Sequence, residues 1–349
     1  MLTFKTVTGK DNNINITKKE KSVLVTGGAG YIGSHIVLAC LDAGYKVVVL
    51  DRDEKACKHL QKCLRRYKGL IVFNADVTND VYIEGIISNE DVGSVIHTDT
   101  HPDDYNSNHD PLNHYSEIIE RGITLLNTMR KFGVSNFVFT SNSSVYGKQS
   151  NKDESISETN PCKPMGSFGE ATLMFETILK RHAEMNPSFK YASLRVFNVS
   201  GNDIGVRVSD INWRKSNAVI PKIMLSIIDG KKEFPVYGTD LNTPDGSPVR
   251  DFVHVTDIAN AHLTCLEKNI TGVYNISSGR KTSIWEVVKE IVKVTQSEIE
   301  IAHFTKNENE PETLVGNSNK FTKISGWEPS YNFGEIIRTA YKSCKKVKK

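Results

Sequence analysis

Three glycines spaced three apart, Gly27, Gly30 and Gly33, follow a β-branched apolar run, Val23 to Thr26. They lead into a helical pattern, Ile36 to Ala43. That order makes a strand, a tight turn and a helix start. Gly27 permits the turn, Gly30 lets backbone approach a pyrophosphate, and Gly33 lets the helix lie close to the strand, with the phosphates at the positive helix end. A second apolar run, Val47 to Leu50, ends at Asp51, 24 residues beyond Gly27. An acid there accepts hydrogen bonds from adenosine-ribose hydroxyls. A glycine triplet alone also suits turns of other α/β proteins. Strand, helix, second strand and terminal acid in register select dinucleotide binding.

The elements that must position this turn alternate along the chain. Strand patterns fall at 22–26, 46–50, 70–74, 94–98, 136–141 and 191–196. Helical patterns lie around 32–43, 54–66, 79–88, 112–132 and 168–184. Such alternation predicts an α/β fold with a doubly wound parallel sheet and helices on both faces. The polar stretch Ser141 to Gly147 then stands at a strand's carboxyl edge, where ligands of such sheets bind. After Arg195 loops lengthen. Helices are expected near 218–229, 256–267, 283–295 and 333–343, with short strands near 234–237 and 273–276. The expected organisation is a loose polar arm over 1–20, a dinucleotide-binding domain over 21–195, and a smaller mixed domain over 196–349.

A chain of 349 residues with net charge +3 has no strongly basic surface for nucleic acid. The basic run Lys342 to Lys349 reads as a solvated tail. Six cysteines form no metal-ligand spacing and read as reduced thiols of a cytoplasmic chain. No apolar stretch suits a membrane span or a signal peptide. His97, His101, His109 and His114 fall close together but lack tight ligand spacing, so no metal is expected.

Thr26 to His35 as a whole resembles the fingerprint of the extended short-chain dehydrogenases, and within them the UDP-glucose 4-epimerases. Ser144-Val145-Tyr146-Gly147 resembles the family's Thr-Val-Tyr-Gly, and Leu194 to Asn198 its Leu-Arg-Tyr-Phe-Asn. Tyr237 to Asp240 and Thr243 to Asp257 are similar to the segment bearing a phosphate-binding arginine. The likeness runs from about residue 21 to 343. It implies bound NAD, a UDP-hexose substrate and reversible oxidation at the sugar's C4. A tyrosine removes the 4-hydroxyl proton, a lysine four residues on lowers that tyrosine's pKa, and a serine hydrogen-bonds the same hydroxyl. It also implies a homodimer through the helices near 112–132 and 168–184.

The pattern breaks where the chemistry is done. Phe168 to Glu176 falls on the family's Tyr-Gly-x-Ser-Lys-Leu-Met-x-Glu. Phe168 replaces the base, Thr172 the lysine and Asn142 the serine. A phenol with pKa about 10 is a poor neutral-pH base without a nearby cation, and here neither is present.

For the cofactor, the resemblance assigns Gly27, Gly30, Tyr31, Ile32, Gly33, Asp51, Asp76 and Val77 to the ADP portion. Arg52 either meets a 2′-phosphate, which would admit NADP, or is a solvated arginine. Asp51 favours NAD. Asp99 and Pro102 replace a small residue and a cation near the phosphates, and Ile118 a hydrogen-bonding Asn, which weakens the site. For the sugar nucleotide, Asn198 and Arg250 are kept; Arg250 either pairs with a diphosphate or bridges loops. A second arginine becomes Asn307 among acids.

Three functions follow from this pattern. The first is an impaired epimerase homologue that retains dinucleotide or UDP-sugar binding and serves as sensor, regulator or partner subunit. The second is an active enzyme with another base, such as Tyr146. The third is a ligand-free scaffold. Tyr341 and Lys345 share the base-and-lysine spacing but lie in the tail.

Overall fold

The computed structural model describes residues 21–98, 110–149, 155–231, 233–238, 240–298, 300–304 and 311–348. The expected arm, the Asp99–Pro102 replacements, His101, His109 and Asn307 lie outside them.

Apolar runs make the central strands, wholly buried in β1 and β2 and half-buried in the outer β3: β1 (Ser22–Thr26), β2 (Val47–Asp51), β3 (Leu70–Asn74), β4 (Val92–His97), β5 (Asn136–Asn142) and β6 (Lys190–Val196). A seventh strand, Gly272–Ile276, joins them. The sheet is parallel throughout, in the order Gly272–Ile276, β6, β5, β4, β1, β2, β3. Strand order reverses between β1 and β4, which opens a crevice at their carboxyl ends.

Helices α1 (Tyr31–Asp42), α2 (Glu54–Cys63), α3 (Asp80–Asn89), α4 (Pro111–Tyr115), α5 (Arg121–Lys131) and α6 (Ser167–Met185) flank the sheet. One apolar cluster joins Ile36, Val37 and Leu60 to Ile258, from the later part of the chain. The other joins Ile83, Ile86, Leu125, Met129, Phe168 and Phe175. Side-chain caps set helix starts: Asp53 accepts from Ala56 N at 3.0 Å and Asn79 from Tyr82 N at 3.2 Å.

Three expectations change. Gly272–Ile276, read with the smaller part, extends the main sheet beside β6. The helix expected over 112–132 is interrupted by a π turn, Ser116–Glu120. The C-terminal helix runs over Phe333–Lys348, so the basic run is largely helical. Lys342 and Lys346 donate to the carbonyls of Ile204 and Val206. A third apolar cluster, with Ile223, Val287, Phe252 and Ile337, centres the smaller part.

Candidate functional site: a nucleotide crevice at the sheet edge

The glycine turn has the geometry its spacing predicts. Gly27 has φ +67°, a left-handed conformation that glycine adopts freely. A Cβ on Gly33 would lie 2.1 Å from the Gly27 carbonyl oxygen, so the start of α1 can sit against the turn only without a side chain. A Cβ on Gly30 would meet nothing nearer than that same oxygen at 3.3 Å. Asp51 ties the turn to the end of β2: Oδ2 accepts from Ala29 N at 3.0 Å and Oδ1 from Asp53 N at 2.9 Å. The space over Gly30, the amino end of α1 and an oriented carboxylate fit the pyrophosphate and ribose of a dinucleotide. Tyr31 and Ile32 open α1. The Tyr31 hydroxyl donates to the Gly201 carbonyl at 2.7 Å, and burial, with Asp210 nearby, holds this phenol well above its ordinary pKa. Val77 is buried just beyond β3.

Beyond Asp51, the loops after β2 and β3 carry a run of ion pairs. Arg52 donates both terminal nitrogens to Glu117, at 2.9 and 2.6 Å. Glu117 also meets Arg121 at 3.0 Å, and Arg121 reaches Asp76 at 2.8 Å. Asp76 further accepts from the backbone N and hydroxyl of Thr78. Burial raises the pKa of Asp76, but the Thr78 hydrogen bonds and both arginines outweigh it, so the carboxyl titrates below its ordinary value. Arg52 is thus a half-exposed ion-pair partner rather than a freely solvated arginine. Ile118 lies buried in the core beside this run.

Where the resemblance puts the base and lysine, α6 packs its first turn on the turn after β5. A Cβ on Gly169 would lie 2.8 Å from the Ser144 carbonyl. This brings Asn142, Phe168 and Thr172 into one neighbourhood, and none is an acid or base. The Asn142 side chain accepts from Ser144 N at 2.8 Å and caps that turn. The Phe168 ring is buried in the apolar cluster, edge-on to His114 at 6.0 Å between centroids. The Thr172 hydroxyl donates to the Phe168 carbonyl at 2.8 Å, bonding back along its own helix.

Tyr146, the other phenol near this neighbourhood, is held by buried partners. Its ring is wholly buried, its hydroxyl donates to Asn275 at 2.7 Å and accepts from Arg195 at 2.9 Å. Burial pushes its pKa up to about 12, against the pull of Arg195. A base needs the opposite shift. Tyr341 packs on the C-terminal cluster, with Lys345 over its ring at 4.3 Å.

Of the two residues expected at a sugar nucleotide, Asn198 is half-buried after β6, its backbone N bonded to the Asp251 carbonyl at 2.9 Å. Arg250 is buried and donates to the carbonyls of Val249 at 3.1 Å and Glu312 at 3.3 Å. The loop-bridging role is therefore present in the fold. Among the described residues no three histidine, cysteine or acidic side chains converge as metal ligands.

Two ion pairs are not announced by the motifs. Arg195 and Glu176 form a buried, doubly hydrogen-bonded pair, 2.6 Å at its shortest, that also takes the Ser141 hydroxyl at 2.5 Å. The available signal is a charge inside an apolar strand, which must find a partner. Arg121 forms the other; its partner Asp76 is 45 positions away.

Known proteins agree with this geometry. The model of the Epimerase domain, NAD dependent epimerase/dehydratase family, matches residues 23–277. A UDP-glucose 4-epimerase of Lacticaseibacillus casei is 32% identical over 326 residues, covering 92% of this chain and 96% of that one. The crystal structure of UDP-glucose 4-epimerase from Bifidobacterium longum, in complex with NAD+ and UDP, is 26% identical with a TM-score of 0.85, covering 93% and 98%. The Stenotrophomonas maltophila enzyme, with bound NAD and formylated UDP-arabinopyranose, shares the fold at a TM-score of 0.88 and 24% identity, covering 94% and 99%. Glycine turn, sheet order and these matches together place the chain in the NAD dependent epimerase/dehydratase family, among the UDP-glucose 4-epimerases.

Proposed function

We propose that this chain is a catalytically silent UDP-glucose 4-epimerase homologue. It keeps nucleotide binding in the crevice and uses it as a sensor, regulator or partner subunit. One observation carries this reading: a benzene ring and a threonine hydroxyl stand where a phenol and an ammonium are needed. Gly30, Asp51 and the start of α1 support retained NAD, and Asn198 with Arg250 supports a UDP-sugar. The test uses NAD-loaded protein and UDP-glucose. Each ligand is expected to raise the melting temperature, as any ligand of the native state does. The absorbance of reduced nicotinamide is expected not to appear; its appearance would overturn silence. No thermal shift with either ligand would instead favour the ligand-free scaffold, which the loop-bridging bonds of Arg250 support.

The faces of α5 and α6 support a homodimer. Ile123 and Met174 are exposed there, beside the half-buried Ile119, Leu173 and Ile178. Sedimentation is expected to show a dimer that Met174→Lys shifts to monomer; a monomeric wild type would remove the idea. Six cysteines without disulfides fit a cytoplasmic location. No helix of the described residues is long and apolar enough to cross a membrane.

A further inference from the structure

Resting on the reading that the nucleotide crevice is kept, we propose that Glu117 and Arg121 are specificity-determining residues. With Arg52 and Asp76 they close the adenosine end of the crevice. The chain then takes a mononucleotide readily and a full dinucleotide only when this closure opens.

The placement carries the inference. Arg52 follows Asp51 at the carboxyl end of β2, and Asp76 lies two positions beyond β3. Glu117 lies in the π turn after α4, and Arg121 opens α5. A ribose held by Asp51 leads its base out over the ends of β2 and β3. The ion pairs tie together the segments at those same strand ends, from the loop after β2, through the helical segment after β4, to the loop after β3. Their links are 2.6, 3.0 and 2.8 Å. The side chains of Arg121 and Glu117 are only 5% and 15% exposed, so these charges are largely desolvated and depend on one another. An adenine entering there must part at least one pair, and a neutral base brings no charge to replace it. The apparent affinity for an adenosine ligand is then reduced by the fraction of molecules in which the pairs are open. None of these three links joins a residue of the glycine turn.

Glu117→Gln keeps the shape and removes the central charge. Arg121→Met keeps much of the packing and removes the buried cation. Calorimetry compares wild type and both variants with NAD, ADP-ribose and nicotinamide mononucleotide, with circular dichroism reporting the fold. NAD and ADP-ribose are expected to bind about tenfold tighter to the variants, while the mononucleotide is unchanged. Binding of ADP-ribose by a variant where the wild type shows none gives the same answer. Equal or weaker ADP-ribose binding in both folded variants would overturn the closure and leave the dinucleotide reading standing. If no protein bound any of the three ligands, the dinucleotide reading itself would fail, and the closure with it.

Discussion

Asn142→Ser, Phe168→Tyr and Thr172→Lys, combined in one chain, are expected to restore epimerisation of UDP-glucose in part. The substitutions return the phenol, the cation that lowers its pKa and the hydroxyl beside them. Loss of general-base chemistry alone costs about 10²–10⁴ in rate, so a gain of at least about 10² over the unmodified chain should be visible. Full recovery is not expected, for three physical reasons. The ring at position 168 lies in an apolar cluster against His114, so a new hydroxyl there must first find a partner. Position 172 is buried, so a new ammonium pays for desolvation before it can act on the phenol. The adenosine end is also crossed by the Arg52–Glu117–Arg121–Asp76 run. The check is steady-state turnover of the purified triple variant beside an ordinary epimerase. Turnover in the ordinary range, about 1–10³ s⁻¹, would show those obstacles to be harmless. No gain in a folded variant would show that the chemistry fails elsewhere.

Stability is expected to fall steeply as pH drops from 6.5 toward 5. Among the described residues, His35, His97, His254 and His262 are buried and held toward the neutral form. Burial lowers His97 to about 3, with Arg121 adding to the shift. Burial lowers His254 to about 3, with His35 adding. Burial lowers His35 and His262 to about 4, against hydrogen bonds to the carbonyls of Tyr31 and Ile258. In the unfolded chain each takes a proton near 6.5. Below that pH the unfolded state binds protons that the native state refuses, so stability is complete above 6.5 and declines toward the native values. Each histidine contributes up to about 1.4 kcal/mol per pH unit across this window. Asp251 and Asp257, both raised by burial, titrate in the opposite sense and offset part of the slope. Since domains are stable by only about 5–15 kcal/mol, the histidine term is large enough to unfold the protein in mild acid. Urea midpoints at pH 7, 6 and 5 check this, and His262→Gln should flatten the dependence by about one proton. A flat profile over that range would contradict neutral burial.

Much of this was legible because it is local. The turn at Gly27, helix α1, strand β2 and Asp51 lie within one short stretch, and their order alone predicts a dinucleotide-binding turn. The proposal of a missing base rests in the same direct way on Phe168 and Thr172, four positions apart. What stayed hidden depends on distance along the chain. Gly272–Ile276 reads as an isolated short strand, and only its pairing with β6 shows it to be the sheet's edge. Tyr146 reads as a phenol near the site. Its burial and its bonds to Asn275 and Arg195 come from residues 129 and 49 positions away. Arg121 reads as one polar position on an amphipathic helix; its weight comes from Asp76 and Glu117, which the fold brings to it. The π turn before it has no sequence signature at all.

The most direct measurement is interconversion of UDP-glucose and UDP-galactose by the purified full chain with saturating NAD, assayed beside the Lacticaseibacillus casei enzyme. The account predicts turnover at least about 10²-fold below that enzyme. Turnover matching it would show that a working base exists in this crevice and that the chain is an active sugar-nucleotide epimerase.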